Sequence, residues 1–176
     1  MRFTPAGLPD TVIVDIEERV DARGLFARTF CEEEFASAGL PTRFVQSSVS
    51  FNAHRGTLRG LHYQVPPKAE GKLVRCTRGA VYDVVLDLRS SSPAYLRSIS
   101  VELTAENRRA LYIPPGCAHG FQTLLDDSEV LYLMTEFYAP ETARGVRWND
   151  PLFGIAWPIG NPTMSERDAT YPDFQP

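Results

Sequence analysis

Short hydrophobic runs recur along the whole chain, and residues typical of turns separate them. The turn residues include Asp21–Gly24, Arg78–Gly79 and Pro114–Gly116. Closely spaced strands of this kind are typical of a β-sandwich, a jelly roll or a barrel, and they argue against alternating βαβ units. The runs predict eight strands: Thr11–Ile16, Leu25–Phe30, Arg43–Ser50, Lys72–Thr77, Val81–Leu88, Arg97–Leu103, Ala110–Ile113 and Glu129–Phe137.

Helical patterning is confined to a short accessory segment. Cys31–Ala38 has three glutamates in its first turn and ends before Gly39, so it predicts a helix. The stretch from Pro158 to Pro176 has four prolines and predicts an irregular, packed tail. Such a tail can fold back and bring Asp168 to a site distant in sequence.

Composition narrows the class of protein. The 176 residues are 43% hydrophobic, which predicts one globular domain spanning 1–176. The net charge of −4 argues against binding to nucleic acid or to an anionic membrane. Cys31, Cys76 and Cys117 form no C-x-x-C motif, which favours a reduced cytoplasmic setting without disulfides. We identify neither a signal peptide nor a run of the ~20 apolar residues that a membrane helix needs.

Two of the three histidines lie in distinctive surroundings. His119 ends a P-P-G-x-x-H string that matches the P-x-G-x-x-H pattern of cupin barrels. Metal-binding cupins also need an H-x-H pair and a glutamate, but here the corresponding place is His62-Tyr63-Gln64. We therefore expect no bound metal and histidines that are free for proton transfer. The alternative is that both histidines are structural, held in a strand or a turn.

Further candidate groups are a lysine, an aspartate and two tyrosines. The chain has two lysines against sixteen arginines, and Lys72 begins a predicted strand. A compact ammonium suits an enolate oxygen, although an exposed lysine on an edge strand is an equally good interpretation. Asp83 lies in an apolar strand, so it needs a partner if buried, and a histidine is the expected one. Tyr132 and Tyr138 are most simply packing aromatics, but a phenol can also act as a general acid.

Together these features resemble the dTDP-4-dehydrorhamnose 3,5-epimerase family. The resemblance extends from about Thr11 to Asp168 and implies a mainly β, cupin-type jelly roll with a few short helices. It also implies a homodimer without metal or cofactor, acting on a nucleotide-diphosphate sugar. The motifs that carry it are G-L-F (24–26), F-V-Q (44–46), L-R-G-L-H (58–62), G-K-L-V-R-C (71–76), A-H-G-F (118–121), W-N-D-P (148–151) and S-E-R-D (165–168).

The resemblance implies four catalytic residues. His62, oriented by Asp168, would remove the acidic proton beside the 4-keto group of the sugar. Lys72 would stabilise the enolate oxygen, and Tyr132 would return a proton from the opposite face. A positioned base typically contributes a rate factor of roughly 100 to 10,000.

It also implies a set of substrate-binding residues. Arg59 and Arg23 would contact the diphosphate, a role that glycine-flanked arginines suit. Arg28 and Ser48 stand where the family commonly has glutamate and asparagine, and Leu133 and Ala143 also depart from its pattern. Within this set, Asp83 would hold His119. The full set is Arg23, Phe26, Arg28, Gln46, Ser48, Arg59, Asp83, His119, Tyr138 and Arg167.

Several alternatives stay open at this point. The departures allow an epimerase that acts at carbon 3 only, or one that takes a GDP or CDP sugar. A nucleotide-sugar 3,4-ketoisomerase needs its acid and base on one face of the sugar, whereas a 3,5-epimerase needs them on opposite faces. A metal-dependent cupin oxygenase and a non-catalytic barrel that binds a sugar nucleotide are the remaining hypotheses.

Overall fold

Two large antiparallel sheets lie face to face in the computed structural model, which describes residues 1–176. One sheet has six strands in the order β1-β2-β10-β7-β12-β5, and the other has five in the order β13-β6-β11-β8-β9. Strands β3 and β4 form a separate hairpin. The elements are β1 (Arg2–Pro5), β2 (Val12–Asp15), β3 (Arg19–Asp21), β4 (Gly24–Phe26), α1 (Glu32–Ser37), β5 (Gln46–Asn52), β6 (Leu58–Gln64), β7 (Lys72–Arg78), β8 (Ala80–Asp87), β9 (Ser98–Thr104), β10 (Ala110–Ile113), β11 (Cys117–Thr123), β12 (Ser128–Met134), β13 (Ala143–Gly145) and α2 (Glu166–Ala169).

The two-sheet architecture confirms the predicted mainly β jelly roll with short helices. Of the eight predicted strands, Ala110–Ile113 is confirmed with the same bounds and six others are present with shifted ends. The prediction for Leu25–Phe30 is wrong beyond Phe26, because only 24–26 pair and the next residues are irregular. Strands β6 and β11 are not among the predicted runs. Glycine and polar residues interrupt their alternation, and these two strands carry His62 and His119.

Three hydrophobic clusters hold these layers together. The largest lies between the two sheets and includes Val74, Val85, Leu111 and Phe121. A second covers the outer face of the six-stranded sheet, where Phe35 of α1 is fully buried. A third covers the outer face of the five-stranded sheet, beneath residues 146–174. The helix predicted over Cys31–Ala38 is confirmed within a residue at each end. It packs on the outer face of the six-stranded sheet.

The C-terminal segment crosses the five-stranded sheet and is fixed to it by hydrogen bonds. The buried Gln122 side chain donates to the Ile159 carbonyl at 2.8 Å and accepts from the Ile159 N–H at 3.0 Å. Thr163 forms a parallel bridge with Thr57. The segment is not wholly irregular as predicted, since it contains α2, whose first turn is capped by the Ser165 hydroxyl. No helix of the protein combines the length and the apolar character that crossing a bilayer demands.

Candidate active site

A cavity of about 410 Å³ opens between the two sheets. Tyr132 and Lys72 enter it from the six-stranded sheet, His62 and His119 enter it from the five-stranded sheet, and the segment with α2 closes one side. Eight of its lining residues are among the predicted site residues: Ser48, Arg59, His62, Lys72, His119, Tyr132, Arg167 and Asp168. Val49, Ser50 and Ser165 complete the lining.

His62 and Asp168 form the first of two His–Asp pairs in this cavity. His62 Nε2 lies 2.7 Å from Asp168 Oδ1, and the Gly60 N–H donates to Asp168 Oδ2 at 3.2 Å. Burial raises the Asp168 pKa, but the hydrogen bond and charge of His62, together with the Gly60 N–H, outweigh it, so the pKa is lowered overall. A charged Asp168 accepts a hydrogen bond from the Nε2–H of His62, which leaves Nδ1 with a free lone pair. The packed tail therefore brings Asp168 to a distant histidine, as the sequence suggested.

His119 and Asp83 form the second pair, and it is more deeply buried. His119 Nε2 lies 2.8 Å from Asp83 Oδ2, which confirms the histidine partner expected for Asp83. The other carboxyl oxygen of Asp83 is buried and makes no hydrogen bond. Burial raises the Asp83 pKa, and the hydrogen bond and charge of His119 offset this only in part.

Tyr132 extends into the cavity from the sheet opposite to His62. Its ring makes an edge contact with the His119 ring at a centroid distance of 5.9 Å. Burial raises the pKa of the Tyr132 phenol, the charge of Asp83 adds to the rise, and Arg59 opposes it. The phenol therefore stays protonated at neutral pH and can donate a proton.

Lys72 is buried at the start of the central strand β7. Its backbone lies between Ile113 of β10 and Met134 of β12, so the alternative of an exposed lysine on an edge strand is wrong. Its Nζ atom lies 2.8 Å from Glu70 Oε1. The sequence prediction did not include Glu70, although two residues separated by one position on an extended chain point to the same side.

Arg59 is held by a neutral partner instead of a carboxylate. Its Nε donates to Asn52 Oδ1 at 2.7 Å, and the Asn52 amide is itself fixed by the Ser128 carbonyl at 3.2 Å. The sequence prediction did not include Asn52 either. Arg167 also lines the cavity, with its guanidinium carbon 5.8 Å from the Tyr171 ring centre.

The remaining predicted site residues do not line this cavity. Arg23 is 90% exposed and bonds to Asp21 within the β3–β4 hairpin, whose Phe26 is 73% exposed. Arg28 pairs with Glu34 at 3.0 Å. Gln46 accepts a hydrogen bond from the backbone N–H of the exposed Tyr138. Two further positions depart from the family pattern. Leu133 packs on the outer face of its sheet, away from the cavity, and Ala143 lies in β13.

The electrostatic arrangement suits proton transfer on a bound anion. Arg59 and Arg167 supply positive charge near the opening, while both imidazoles are backed by carboxylates. No cluster of three or more histidine, cysteine, aspartate or glutamate side chains has the arrangement of a metal site.

The capping Ser165 is a residue that the sequence could have indicated, because S-x-x-D is a helix N-terminal pattern.

Comparison with known proteins identifies close relatives. The signature of the dTDP-4-dehydrorhamnose 3,5-epimerase family matches residues 5–176. The chain is 44% identical to the dTDP-4-dehydrorhamnose 3,5-epimerase of Shigella flexneri, covering 96% of this chain and 93% of the relative. It is 40% identical to the dTDP-4-dehydrorhamnose 3-epimerase of Streptomyces niveus, covering 96% and 81%. The crystal structure of the Bacillus anthracis 3,5-epimerase with TDP and PPi bound superposes with a TM-score of 0.96 at 36% identity, covering 98% and 99% of the two chains.

Proposed function

The chain belongs to the dTDP-4-dehydrorhamnose 3,5-epimerase family, and on that premise we propose its reaction and the residues that perform it. It is an isomerase that converts dTDP-4-dehydro-6-deoxy-D-glucose to dTDP-4-dehydro-L-rhamnose by inverting carbons 3 and 5. The observation that carries the proposal is the approach of His62 and Tyr132 to one cavity from opposite sheets. This arrangement puts a base and an acid on the two faces of a bound sugar.

His62 Nδ1 removes the proton from the carbon beside the 4-keto group. Asp168 keeps the other ring nitrogen protonated and stabilises the imidazolium that forms. The electrons of the C–H bond move onto the keto oxygen, where Lys72 stabilises the resulting enolate. Tyr132 then gives its proton to the opposite face of the same carbon, and the configuration inverts.

The diphosphate lies at the positively charged opening of the cavity in this proposal. Arg59 and Arg167 bind its oxygens, and Ser48 contacts the sugar or the base. His119, held by Asp83, lines the sugar pocket from the five-stranded sheet. The opposed His62 and Tyr132 favour an epimerase over a 3,4-ketoisomerase, which needs its acid and base on one face.

A 3-epimerase is the second candidate, because relatives named as 3,5-epimerase and as 3-epimerase are almost equally similar to this chain. Proton NMR of the substrate with the enzyme in deuterated buffer separates the two. Loss of the signals at carbons 3 and 5 supports the proposal, and loss at carbon 3 alone supports the 3-epimerase. If His62→Ala exchanged protons as fast as the native protein, the assignment of the base would be wrong.

Binding measurements test the nucleotide. We expect dTDP to bind at least about tenfold more tightly than GDP, CDP or UDP, which corresponds to about 1.4 kcal/mol. Equal binding of all four would contradict a thymidine substrate. Binding without exchange on any keto sugar would instead support a non-catalytic barrel.

We also propose that residues 1–176 form one cytoplasmic domain that works as a homodimer. Exposed apolar side chains on the β3–β4 hairpin and on the edge strand β5 support the dimer: Val20, Leu25, Phe26, Val49 and Phe51. A second copy of the chain would cover this surface. It would also give Arg23 and Phe26, which lie outside this chain's cavity, access to a nucleotide in the partner.

Mixing two inactive variants tests this arrangement. If Arg23 acts in the partner's cavity, an equal mixture of Arg23→Ala and His62→Ala recovers about a quarter of native activity, because half of the symmetric dimers are mixed and each has one intact site. Light scattering gives the mass in solution. A monomer, or a mixture with only the mean activity of the two variants, would contradict the proposal.

A further inference from the structure

Glu70 and Lys72 form a buried ion pair at the wall of the cavity. Their side chains are each 10% exposed, and Nζ and Oε1 are 2.8 Å apart. Lys72 lines the cavity, whereas Glu70 does not, so the carboxylate approaches the ammonium from behind. An ammonium buried at this depth is costly unless a carboxylate or several acceptors compensate for its charge.

The backbone between the two residues is fixed on both sides. The Gly71 N–H donates to Thr135 Oγ1 at 2.8 Å, and the Gly71 carbonyl accepts from the Thr135 N–H at 3.0 Å. A Cβ atom at position 71 would lie 3.0 Å from the Tyr112 hydroxyl and 3.3 Å from the Ile113 carbonyl oxygen. The separation between the Glu70 and Lys72 backbones is therefore set by Thr135, which follows β12, and by β10.

The partners in the cavity follow a consistent pattern. His62, His119 and Lys72 are each backed by a carboxylate, from Asp168, Asp83 and Glu70. Arg59 is backed instead by the neutral amide of Asn52. Carboxylates thus accompany His62 and Lys72, the groups that handle a proton or developing charge, as well as the buried His119, whereas the arginine is not paired with a carboxylate.

We propose that Glu70 is a positioning residue that holds the Lys72 ammonium in place for the enolate oxygen. The inference rests on the proposed function, because the enolate forms only if His62 removes a proton beside the keto group. Glu70 acts on the reaction solely through Lys72. It touches neither the sugar nor the nucleotide, so its loss lowers the rate of turnover without weakening substrate binding.

The test is a double-mutant cycle with Glu70→Gln and Lys72→Ala. Glutamine keeps the size of the side chain and an acceptor oxygen but removes the charge. We expect Glu70→Gln to lower kcat by about tenfold or more, with KM within about twofold, because the lost interaction is made in the transition state. In the Lys72→Ala background the same change has almost no further effect.

The chain supplies a matched control in its other Lys–Glu pair. Lys68 and Glu136 are 3.2 Å apart, partly exposed and outside the cavity. Glu136→Gln removes a carboxylate from a lysine in the same way, and we expect native kcat and KM. Thermal unfolding of each variant shows whether it is folded at the assay temperature.

Since these are the only two lysines, NMR of the lysine Nζ groups gives a readout without substrate. The buried Lys72 ammonium exchanges its protons slowly and gives a signal, which Glu70→Gln shifts or broadens and Glu136→Gln leaves unchanged. An unchanged Lys72 signal in Glu70→Gln would overturn the proposal. So would an equal loss of kcat with and without Lys72, or a rise in KM alone. If the native protein exchanges no sugar proton, the proposed function fails, and the NMR result then decides by itself whether Glu70 positions Lys72.

Discussion

The two His–Asp pairs of the cavity have nearly the same geometry and different surroundings. Each joins a histidine Nε2 to a carboxylate oxygen, at 2.7 Å in the His62 pair and 2.8 Å in the His119 pair. The His62 side chain is 42% exposed and its partner comes from the C-terminal segment, whereas His119 is 4% exposed and its partner lies on the adjacent strand β8. The pKa of Asp168 is lowered, and that of Asp83 is raised.

The difference separates a reactive pair from a supporting pair. The Asp168 carboxylate accepts hydrogen bonds from His62 and from the Gly60 N–H. These hydrogen bonds stabilise its charged form, so it can stabilise an imidazolium. Asp83 has one donor, and its second oxygen is buried without a partner. Hydrogen-bond distance alone therefore does not identify a base, because the number of donors to the carboxylate and the access of the ring to the cavity also matter.

Replacement of each histidine by alanine should give the largest difference in activity between the two pairs. We expect His62→Ala to lower kcat by roughly 100- to 10,000-fold, since it removes the base. His119→Ala removes a wall of the sugar pocket, and we expect a loss of only about tenfold in kcat/KM, which corresponds to about 1.4 kcal/mol. Steady-state kinetics measure both, and equal losses would contradict the assignment of separate roles.

The next largest effect is expected at the carboxylates. In Asp168→Asn the partner cannot stabilise the imidazolium, so we expect kcat to fall by about tenfold to a hundredfold. Asp83→Asn keeps a hydrogen bond to a histidine that transfers no proton, and we expect less than about a fivefold loss. A larger loss for Asp83→Asn would mean that the buried pair takes part in proton transfer.

A smaller effect on activity is expected from removal of the α2 helix cap, which positions Asp168 of the His62 pair. The Ser165 hydroxyl accepts from the Asp168 N–H at 3.1 Å, so Ser165→Ala should destabilise α2 by about 1 kcal/mol and lower kcat a few-fold. Thr170→Ala is the matched control, because Thr170 lies at the C-terminal end of α2 and its hydroxyl donates to the Glu166 carbonyl. If both variants lowered kcat equally, orientation of Asp168 by the cap would be excluded.

The origin of the two pairs shows what sequence patterns can reveal. The partner of Asp83 was predictable, because a carboxylate in an apolar strand needs a donor. The approach of Asp168 to a distant site was predictable from a proline-rich tail that packs back. The resemblance to the family then supplied His62, Lys72 and Tyr132, and the structure brings these three residues and Asp168 into one cavity.

The strands that carry the histidines were missed for a physical reason. Gly60 and Gly120 interrupt the hydrophobic pattern of β6 and β11, yet they allow the two strands to approach closely. A Cβ atom on Gly60 would lie 2.5 Å from the Gly120 Cα. Glu70 was missed because its role depends on the burial of Lys72, which the order of strands decides and local pattern does not.

The smallest expected effect is a difference in how stability depends on pH. Asp168 has a lowered pKa, so the stability it contributes is present above its unfolded-state pKa of about 3.9 and is lost as pH falls through the lower folded value. Asp83 has a raised pKa, so its contribution is present below about pH 3.9 and is lost as pH rises through the folded value. As pH rises toward about 4, Asp168→Asn should become less stable relative to the native protein, and as pH rises further from about 4 to about 7, Asp83→Asn should become more stable relative to it. Thermal unfolding measures this, with a shift of about 2–4 °C for each kcal/mol, and changes of the same sign would show that the two carboxylates do not differ in this way.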